Sequence, residues 1–260
     1  MRKLISLSIL SCLTSCNPAG ETVTFGRNYD SVGDVYGCYY REVIKDDPVF
    51  YLRFSESSGS KAAGSGILAT EGSLTDVTMA QESPITSETN TSFDFNGTSS
   101  VVDLGNESSL AITGDQTIEM WLRPTSTTAR RNPFARAYGG TGTITFETNR
   151  RLNYFYGTSG VNGAPYQGFV SSTSLTLNQW SHVVLVRDLT NMKLHWYING
   201  VLSNTTNANY ASAVAGTNDT FIGQGYVDNF EGGIDELAVY DSALSSETIA
   251  LHYDRATSCE

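Results

Sequence analysis

The residues of this chain that come closest to a catalytic pattern are acidic. Retaining glycoside hydrolysis needs two carboxylates about 5 Å apart, and the closest approach to such a pair is Asp235 and Glu236 in GGIDELAVY. No other segment offers paired acids two or more strand positions apart with flanking aromatic residues. The chain also lacks a G-x-S-x-G motif, a P-loop and an H-E-x-x-H motif. The sequence therefore predicts that the protein is not an enzyme.

One isolated acid, in the segment QTIEMWLRP, also invites a catalytic interpretation. The two-residue period of a strand places Glu119 on one face with Thr117 and Trp121, while the apolar residues between them take the other face. We interpret Glu119 as a single acid on a partly solvated sheet face. We expect Arg123 or Arg136 to pair with it.

Composition and charge narrow the class of protein. A hydrophobic fraction of 40% and an aromatic fraction of 11% are enough for a substantial core, and 260 residues suit one large all-β domain or two small ones. The formal net charge of -11 argues against nucleic acid and anionic lipid as partners, because both need basic patches. The same acidity leaves carboxylates available for a hard cation.

The N-terminus is typical of an exported protein. Residues 1–15 combine a basic start with an apolar run too short to span a membrane, as in a signal peptide. The run ends in LTSC, which resembles the lipobox of bacterial lipoproteins and implies cleavage before Cys16 and lipidation of that cysteine. Residues 16–37 then form a polar tether, and Asn17, where an aspartate signals inner-membrane retention, favours the outer membrane or cell surface. Ordinary secretion with an incidental cysteine is the alternative.

Strand patterns fill most of the remaining chain. Residues 48–54 alternate strictly, and residues 92–104 predict a hairpin around an Asn-Gly turn. Residues 180–202 predict a second hairpin, with Asn-Gly again supplying the type I′ signal. A last strand follows at residues 232–240, and Ser245 is then placed to cap one short helix.

The order of these segments resembles that of the laminin-G-like, concanavalin A-like β-sandwiches. The motifs that carry the resemblance are PVFYLRF, FNGTSSVVDL, QTIEMWLRP, WSHVVLVRD with LHWYING, TFIG, and GGIDELAVY with its short helix. The resemblance covers about residues 46–254. It implies an all-β fold, a two-sheet antiparallel jelly-roll sandwich with one short C-terminal helix, over residues 38–260. It also implies that His182, inside WSHVVLVRD, is structural rather than catalytic.

Function follows from the resemblance only in outline. Laminarinase-like glycosidases of the superfamily carry E-h-D-h-h-E on one strand, whereas Gly233 and Ala238 stand here in place of the two glutamates. Lyase-like members use a Tyr/His pair, and nothing in the sequence brings such a pair together. The resemblance therefore implies a non-catalytic module that binds carbohydrate or a surface protein, with no nucleic acid and no membrane contact beyond the lipid anchor. A structural or adhesive envelope component without a small-ligand site is the first alternative, and a polysaccharide-acting hydrolase or lyase is the second.

Ligand-binding candidates come from loop composition together with the resemblance. Sugars favour aromatic platforms with nearby amides and acids, on loops or on a concave sheet. The candidates are Arg136, Tyr138, Tyr154, Tyr156, Tyr166, Tyr226, Asn229 and Phe230. For about half of these tyrosines the alternative is a place in the core or on a strand surface, because tyrosine is a good strand former.

A structural Ca²⁺ is common among the laminin-G-like sandwiches that this chain resembles. The resemblance implies that four residues here are its candidate ligands. They are Glu56 after the opening strand, Asn96 or Gly97 at the first hairpin turn, and Asp235 in the closing motif. Oxygen donors from three distant segments suit calcium and would hold both ends of the domain. No Asp-rich run such as D-x-D-x-D accompanies them.

Cysteine positions predict one disulfide. Cys12 belongs to the signal and Cys16 to the lipid anchor, which leaves Cys38 and Cys259 on either side of the domain. Two remaining cysteines of an exported protein are expected to pair. The termini of a sandwich are also commonly close together, so we expect this bridge to close the domain.

Overall fold

The computed structural model describes residues 37–68 and 70–259, together with two short segments near the N-terminus. These are strands β1 (Thr14–Cys16) and β2 (Thr22–Thr24), which pair antiparallel within a unit that spans residues 1–35. Most of the predicted signal peptide and tether lies outside the described residues. Export, lipidation of Cys16 and the domain boundaries therefore stay predictions.

The second unit, residues 36–260, is built almost entirely from strands. These strands are β3 (Phe50–Leu52), β4 (Lys61–Ala62), β5 (Gly64–Ser65), β6 (Gly72–Thr75), β7 (Thr78–Glu82), β8 (Thr91–Asn96), β9 (Val101–Asp103), β10 (Gln116–Pro124), β11 (Arg131–Ala137), β12 (Gly142–Phe146), β13 (Leu152–Gly157), β14 (Tyr166–Val170), β15 (Ser181–Asp188), β16 (Lys193–Ile198), β17 (Val201–Asn207), β18 (Phe221–Ile222), β19 (Asp228–Asn229) and β20 (Glu231–Tyr240). The helices are α1 (Cys38–Lys45), α2 (Ser246–Arg255) and a 3-10 turn at Ser108–Leu110.

Within the described residues of this unit, the strands form two nine-stranded sheets that pack face to face. Sheet I has the order β17-β16-β15-β10-β20-β3-β5, with β8 beside β20 and β7 beside β8. Sheet II has the order β14-β13-β12-β11-β18-β9-β6-β4, with β19 parallel to β11 and the other pairs antiparallel. The prediction of a two-sheet antiparallel sandwich with a C-terminal helix is confirmed.

The core between the sheets follows the two-residue period of the strands. In β10, Ile118, Met120 and Leu122 point inward and are fully buried, as the alternation predicts. The predicted I′ turn between β16 and β17 also forms, because Asn199 and Gly200 both adopt positive φ, at 52° and 73°.

Both helices pack on the outer face of sheet I. From α1, Tyr39 and Val43 pack beside Trp121 and Tyr240 of the sheet. From α2, Ile249 packs against the outward side chains of β15 and β16. The residues on this face are therefore covered, even though the face would be exposed in a bare sandwich.

The C-terminal helix α2 begins where its sequence predicts. The side chain of Ser245 accepts a hydrogen bond from the backbone N–H of Thr248 at 3.1 Å. Leu244 and Ile249 pack in the same apolar cluster, as expected for a hydrophobic staple. Helix α1 was not predicted, because its N-cap is Gly37 and offers no side-chain oxygen that would mark the start.

A disulfide joins Cys38 at the start of α1 to Cys259 after α2, with 5.5 Å between the two Cα atoms. This confirms the predicted pairing. The tail is also held by its backbone, since the carbonyl of Ala256 accepts hydrogen bonds from the N–H groups of Thr86 and Ser87. In the part of the chain that the structure describes, no helix is both long and apolar enough to cross a membrane.

Removal of this disulfide should destabilise the domain strongly, because the loop it closes spans 221 residues. In the loop-entropy model, closing a loop this long contributes about 5 kcal/mol. We expect Cys38→Ala/Cys259→Ala to lose a free energy of unfolding of that size in urea titrations. Wild type in reductant should match the variant, whereas equal stability of the oxidised wild type and the variant would contradict the assignment.

Candidate ligand-binding site

Strand β13 shows how the sequence creates an aromatic surface on sheet II. Its sequence LNYFYG alternates, so that Tyr154 and Tyr156 point into the core and are fully buried. Phe155 lies between them and therefore faces outward. On β14, Tyr166 faces the same side, because its neighbour Gln167 is buried while Tyr166 is 45% exposed.

Phe155 and Tyr166 belong to an aromatic cluster of four rings on this outer face, with Tyr138 and Tyr226. The ring of Tyr138 lies 4.5 Å from that of Tyr226 and 5.1 Å from that of Tyr166, measured between centroids. Phe155 lies 5.9 Å from Tyr166 and 6.1 Å from Tyr226. These separations are typical of attractive edge-to-face and tilted pairs. Three residues of the cluster retain exposed surface, and Phe155 forms its floor.

Arg130 holds one side of the aromatic cluster in place. Its guanidinium lies over the rings of Phe155 and Tyr226, 5.8 Å and 5.7 Å from their centroids. Its Nη2 donates to the hydroxyl of Tyr226 at 3.0 Å, and its Nε forms an ion pair with Glu147 at 2.9 Å. Burial raises the pKa of Tyr226 although the charge of Arg130 opposes the shift, so the phenol keeps its proton at neutral pH.

A polar cavity of about 110 Å³ opens directly beside this cluster. It is lined by Ala135, Arg136, Asn162, Asn218, Asp219, Phe221, Gln224, Gly225 and Tyr226. Tyr226 belongs to both cavity and cluster, and the side-chain oxygen of Asn162 accepts a hydrogen bond from the backbone N–H of Tyr138 at 3.0 Å. The cavity is small beside the roughly 300–1,000 Å³ of sites for drug-sized ligands. It suits one small ring or polar group.

Arg136 forms part of the wall of this cavity and is itself buried. Its Nη1 donates to the carbonyl of Glu107 at 2.8 Å and to the hydroxyl of Thr220 at 3.0 Å, and its Nη2 donates to Asn106 at 2.7 Å. Burial lowers the pKa of this guanidinium, although Asp219 and Glu107 oppose the shift. Arg136 therefore joins three segments of the chain.

The other ligand-binding candidates lie elsewhere. Tyr154, Tyr156 and Phe230 are fully buried between the sheets. Asn229 is half-buried, and its side-chain amide donates to the carbonyl of Thr98 at 3.0 Å. Of the eight candidates, the structure brings together Arg136, Tyr138, Tyr166 and Tyr226.

Sequence reasoning missed several residues of this site. Phe155 could have been found, because assigning both of its tyrosine neighbours to the core forces it outward. The cavity residues Asn162, Asn218, Asp219 and Gln224 come from separate loops. No spacing in the sequence relates these loops.

The predicted calcium ligands take part in separate local hydrogen-bond arrangements. The side-chain oxygen of Asn96 accepts from its own turn, including the N–H of Thr98 at 2.8 Å. Asp235 is fully buried, accepts from Ser83 at 2.6 Å, and its pKa is raised by burial and by the neighbouring Glu236. Among residues 37–68 and 70–259, no three His, Cys, Asp or Glu side chains converge as a metal cluster. Calcium binding at Glu56, Asn96 or Gly97, and Asp235 stays a prediction.

Glu119 lies at the centre of a buried polar cluster under the two helices. Its carboxylate accepts from His182 Nε2 at 2.7 Å, His252 Nδ1 at 2.9 Å, and the hydroxyls of Tyr240 at 3.1 Å and Tyr39 at 3.4 Å. All five side chains are fully buried. The expectation that Glu119 lies on a partly solvated face and pairs with Arg123 or Arg136 is wrong, because α1 and α2 cover this face.

Charge explains why so polar a cluster is stable inside the protein. Burial by itself would lower the pKa of His252, but the carboxylates of Glu119 and Asp46 outweigh it and raise the pKa to about 10. Burial would raise the pKa of Glu119, but the charge of His252 and the two histidine hydrogen bonds lower it well below its ordinary value. At neutral pH the imidazolium of His252 therefore bridges Glu119 and Asp46. The distance from His252 Nε2 to Oδ2 of Asp46, the C-cap residue of α1, is 2.9 Å.

Comparison with known proteins agrees with this architecture. A family model described as the concanavalin A-like lectin/glucanases superfamily matches residues 96–250, which is more than half of the chain. The chain therefore belongs to the concanavalin A-like lectin/glucanase superfamily. No curated protein matches the sequence.

Several solved structures with the same fold are described as binding domains of botulinum neurotoxins or of Paraclostridial Mosquitocidal Protein 1. The binding domain of Paraclostridial Mosquitocidal Protein 1 superposes with a TM-score of 0.65 at 15% identity, over 81% of this chain and 52% of that one. The botulinum neurotoxin serotype D binding domain gives 0.60 at 15% identity, over 81% and 52%. The botulinum neurotoxin DC binding domain in complex with SialylT gives 0.61 at 14% identity, over 82% and 52%. The chain thus spans about half the length of these domains, and the likeness is one of fold.

The buried imidazolium makes a definite prediction for the pH dependence of stability. Because the folded pKa of His252 lies above its ordinary value of 6.5, its contribution is complete below pH 6.5 and disappears as pH rises to about 10. We expect His252→Ala to lose about 3–5 kcal/mol of unfolding free energy near pH 6. The difference from wild type should shrink towards pH 10 in urea titrations.

The half-buried His195, which lies on β16 outside this cluster, supplies the matched control. Burial lowers the pKa of His195, so its imidazole is neutral above about pH 6.5, and His195→Ala should give a small difference that stays constant from there to pH 10. A His252→Ala difference that does not change with pH would contradict the bridging imidazolium.

Proposed function

We propose that this protein is a glycan-binding module that uses the outer face of sheet II. The observation that carries the proposal is the aromatic cluster beside the polar cavity. Pyranose rings present C–H faces that pack on aromatic rings and hydroxyl edges that need hydrogen-bonding partners. Tyr138 and Tyr166 supply the first kind of surface, and Asn162, Asn218 and Asp219 supply the second.

A glycan fits this site better than a protein partner does. Protein interfaces of standard size bury about 800 Å² on each partner around an apolar centre, whereas this site is a compact set of rings next to a polar cavity. Structural neighbours supply related examples, since one is described in complex with SialylT and another by an interaction with two ganglioside molecules. Those ligands belong to domains of which this chain covers about half. A third neighbour is described in complex with synaptotagmin II, so a surface protein is the second candidate partner.

We also propose that the module is not catalytic. Glu119, Asp235 and Glu236, which each lie close to another ionisable group, are buried in the fold. The Glu119 cluster contains the Tyr and His residue types that lyases use, but α1 and α2 cover it. The cavity on sheet II has Asp219 as its one lining carboxylate among the described residues, and canonical glycoside hydrolysis needs two.

We propose that the protein itself is lipid-anchored and that its binding module lies outside the cytoplasm. The support is the LTSC segment at the end of the apolar N-terminal run, together with a disulfide that suits an oxidising compartment. A tether of about 20 polar residues would let the site reach glycans at the outer membrane or cell surface.

Glycan array binding with the full chain, followed by calorimetry on the best ligand, tests the proposal. We expect Tyr166→Ala and Tyr138→Ala each to weaken binding roughly 3- to 10-fold, the value of one aromatic contact. Leu202→Ala is the control, because Leu202 is 49% exposed on the edge strand of sheet I. Thermal unfolding verifies that each variant is folded. Unchanged affinity in both tyrosine variants, or no glycan bound by wild type, would overturn the proposal.

A further inference from the structure

The polar cavity indicates which kind of sugar the site binds. This inference rests on the proposed function. We infer that the cavity receives a neutral sugar ring through its hydroxyl groups, and that Asp219 is the residue that determines this specificity. The aromatic cluster then carries the adjoining ring of the same glycan. Acidic sugars are disfavoured at this position.

The first argument is that three polar side chains of the cavity have no hydrogen-bond partner among the described residues of the protein. Among the described residues, no hydrogen bond or ion pair engages the side chains of Asn218, Asp219 or Gln224, although all three line the cavity. Asn162 uses its side-chain oxygen to accept from Tyr138, which leaves its amide N–H groups for a ligand. A carboxylate accepts only, whereas an amide both donates and accepts. Neighbouring hydroxyl groups, each a donor and an acceptor, match this combination.

The second argument is that the one cation in the cavity wall, Arg136, is buried and already uses three of its five N–H groups. Both Nη atoms of Arg136 already donate to Asn106, Glu107 and Thr220. Of its two remaining N–H groups, the Nε–H is buried and the second Nη2–H belongs to a side chain that is only 5% exposed, so Arg136 offers little donor capacity to a ligand. A sugar carboxylate would therefore meet the exposed, negatively charged Asp219 without a free positive partner. The overall charge of -11 adds long-range repulsion of the same sign.

The third argument concerns size and connection. A cavity of about 110 Å³ accommodates one ring or part of one, and it shares Tyr226 with the aromatic cluster. A second ring linked to the first would lie over Tyr138 and Tyr166, whose rings are 5.1 Å apart. The two parts of the site thus differ in what they recognise: hydroxyl positions in the cavity and a ring face on the cluster.

Matched pairs of oligosaccharides provide the test. Gluco-, galacto- and manno-oligosaccharides are compared with the corresponding uronate oligosaccharides, in which a carboxylate replaces the C6 hydroxymethyl group. Binding is measured by calorimetry on the full chain at physiological ionic strength. We expect binding to one neutral series and at least 10-fold weaker binding to its uronate counterpart. Asp219→Asn should weaken the neutral ligand about 10-fold or more, because a hydrogen bond to a charged acceptor is lost, and should narrow the gap between the two ligands.

Asp241→Asn is the matched control, since Asp241 is an exposed aspartate that follows the last strand of sheet I. It changes net charge by the same amount and should leave both affinities unchanged. Preference for the uronate, or full affinity in Asp219→Asn, would overturn this inference while leaving glycan binding at the aromatic cluster intact. Failure of every neutral and acidic ligand to bind wild type would overturn the proposed function together with the inference.

Discussion

The buried carboxylate of Glu119 constrains the whole arrangement of this domain. A charge inside a protein is tolerated only when hydrogen bonds and an opposite charge compensate for the loss of water. Here the compensating groups come from β15, from the last strand and from both helices, so the carboxylate is stable only when these elements are in place. The imidazolium of His252 extends the network to the C-cap of α1 through Asp46. The helices are therefore tied to sheet I by polar contacts as well as by apolar packing and a disulfide.

This arrangement decides which face of the sandwich can serve a ligand. On the outer face of sheet I, α1 and α2 pack over the side chains around Glu119 and bury them. Sheet II carries its aromatic rings on the outer side instead. The same alternation in β13 that supplies Tyr154 and Tyr156 to the core supplies Phe155 to the site. The alternation in β13 thus determines both the core packing and the aromatic cluster. A one-residue register shift in β13 would move its side chains to the opposite faces and disrupt both.

Features encoded by short-range patterns could be predicted from the sequence. The strand of QTIEMWLRP, the Asn199-Gly200 turn and the Ser245 cap each depend on a few neighbouring residues, and each has the expected structure. The disulfide was predictable because only two cysteines remained after the N-terminal pair was assigned. The neighbours of Glu119 were not predictable, because His182 and His252 lie 63 and 133 residues from it in the chain. Helix α1 carries no side-chain cap and is too short to show a periodic pattern over several turns.

The polar groups buried in the described part of the domain are largely satisfied, although eleven buried side-chain atoms, among them Nδ1 of His182 and Nε of Arg136, have no hydrogen-bond partner. Arg187 is fully buried, yet it donates to three backbone carbonyls and to the hydroxyl of Tyr154. Glu119 accepts four hydrogen bonds, and the Nη atoms of Arg136 donate three. Asn218, Asp219 and Gln224 differ from these groups, because Asp219 is exposed and the other two are half-buried, so water rather than protein supplies their hydrogen-bond partners. Their capacity is available to a molecule that arrives from solvent, and the rings beside them limit what that molecule can be.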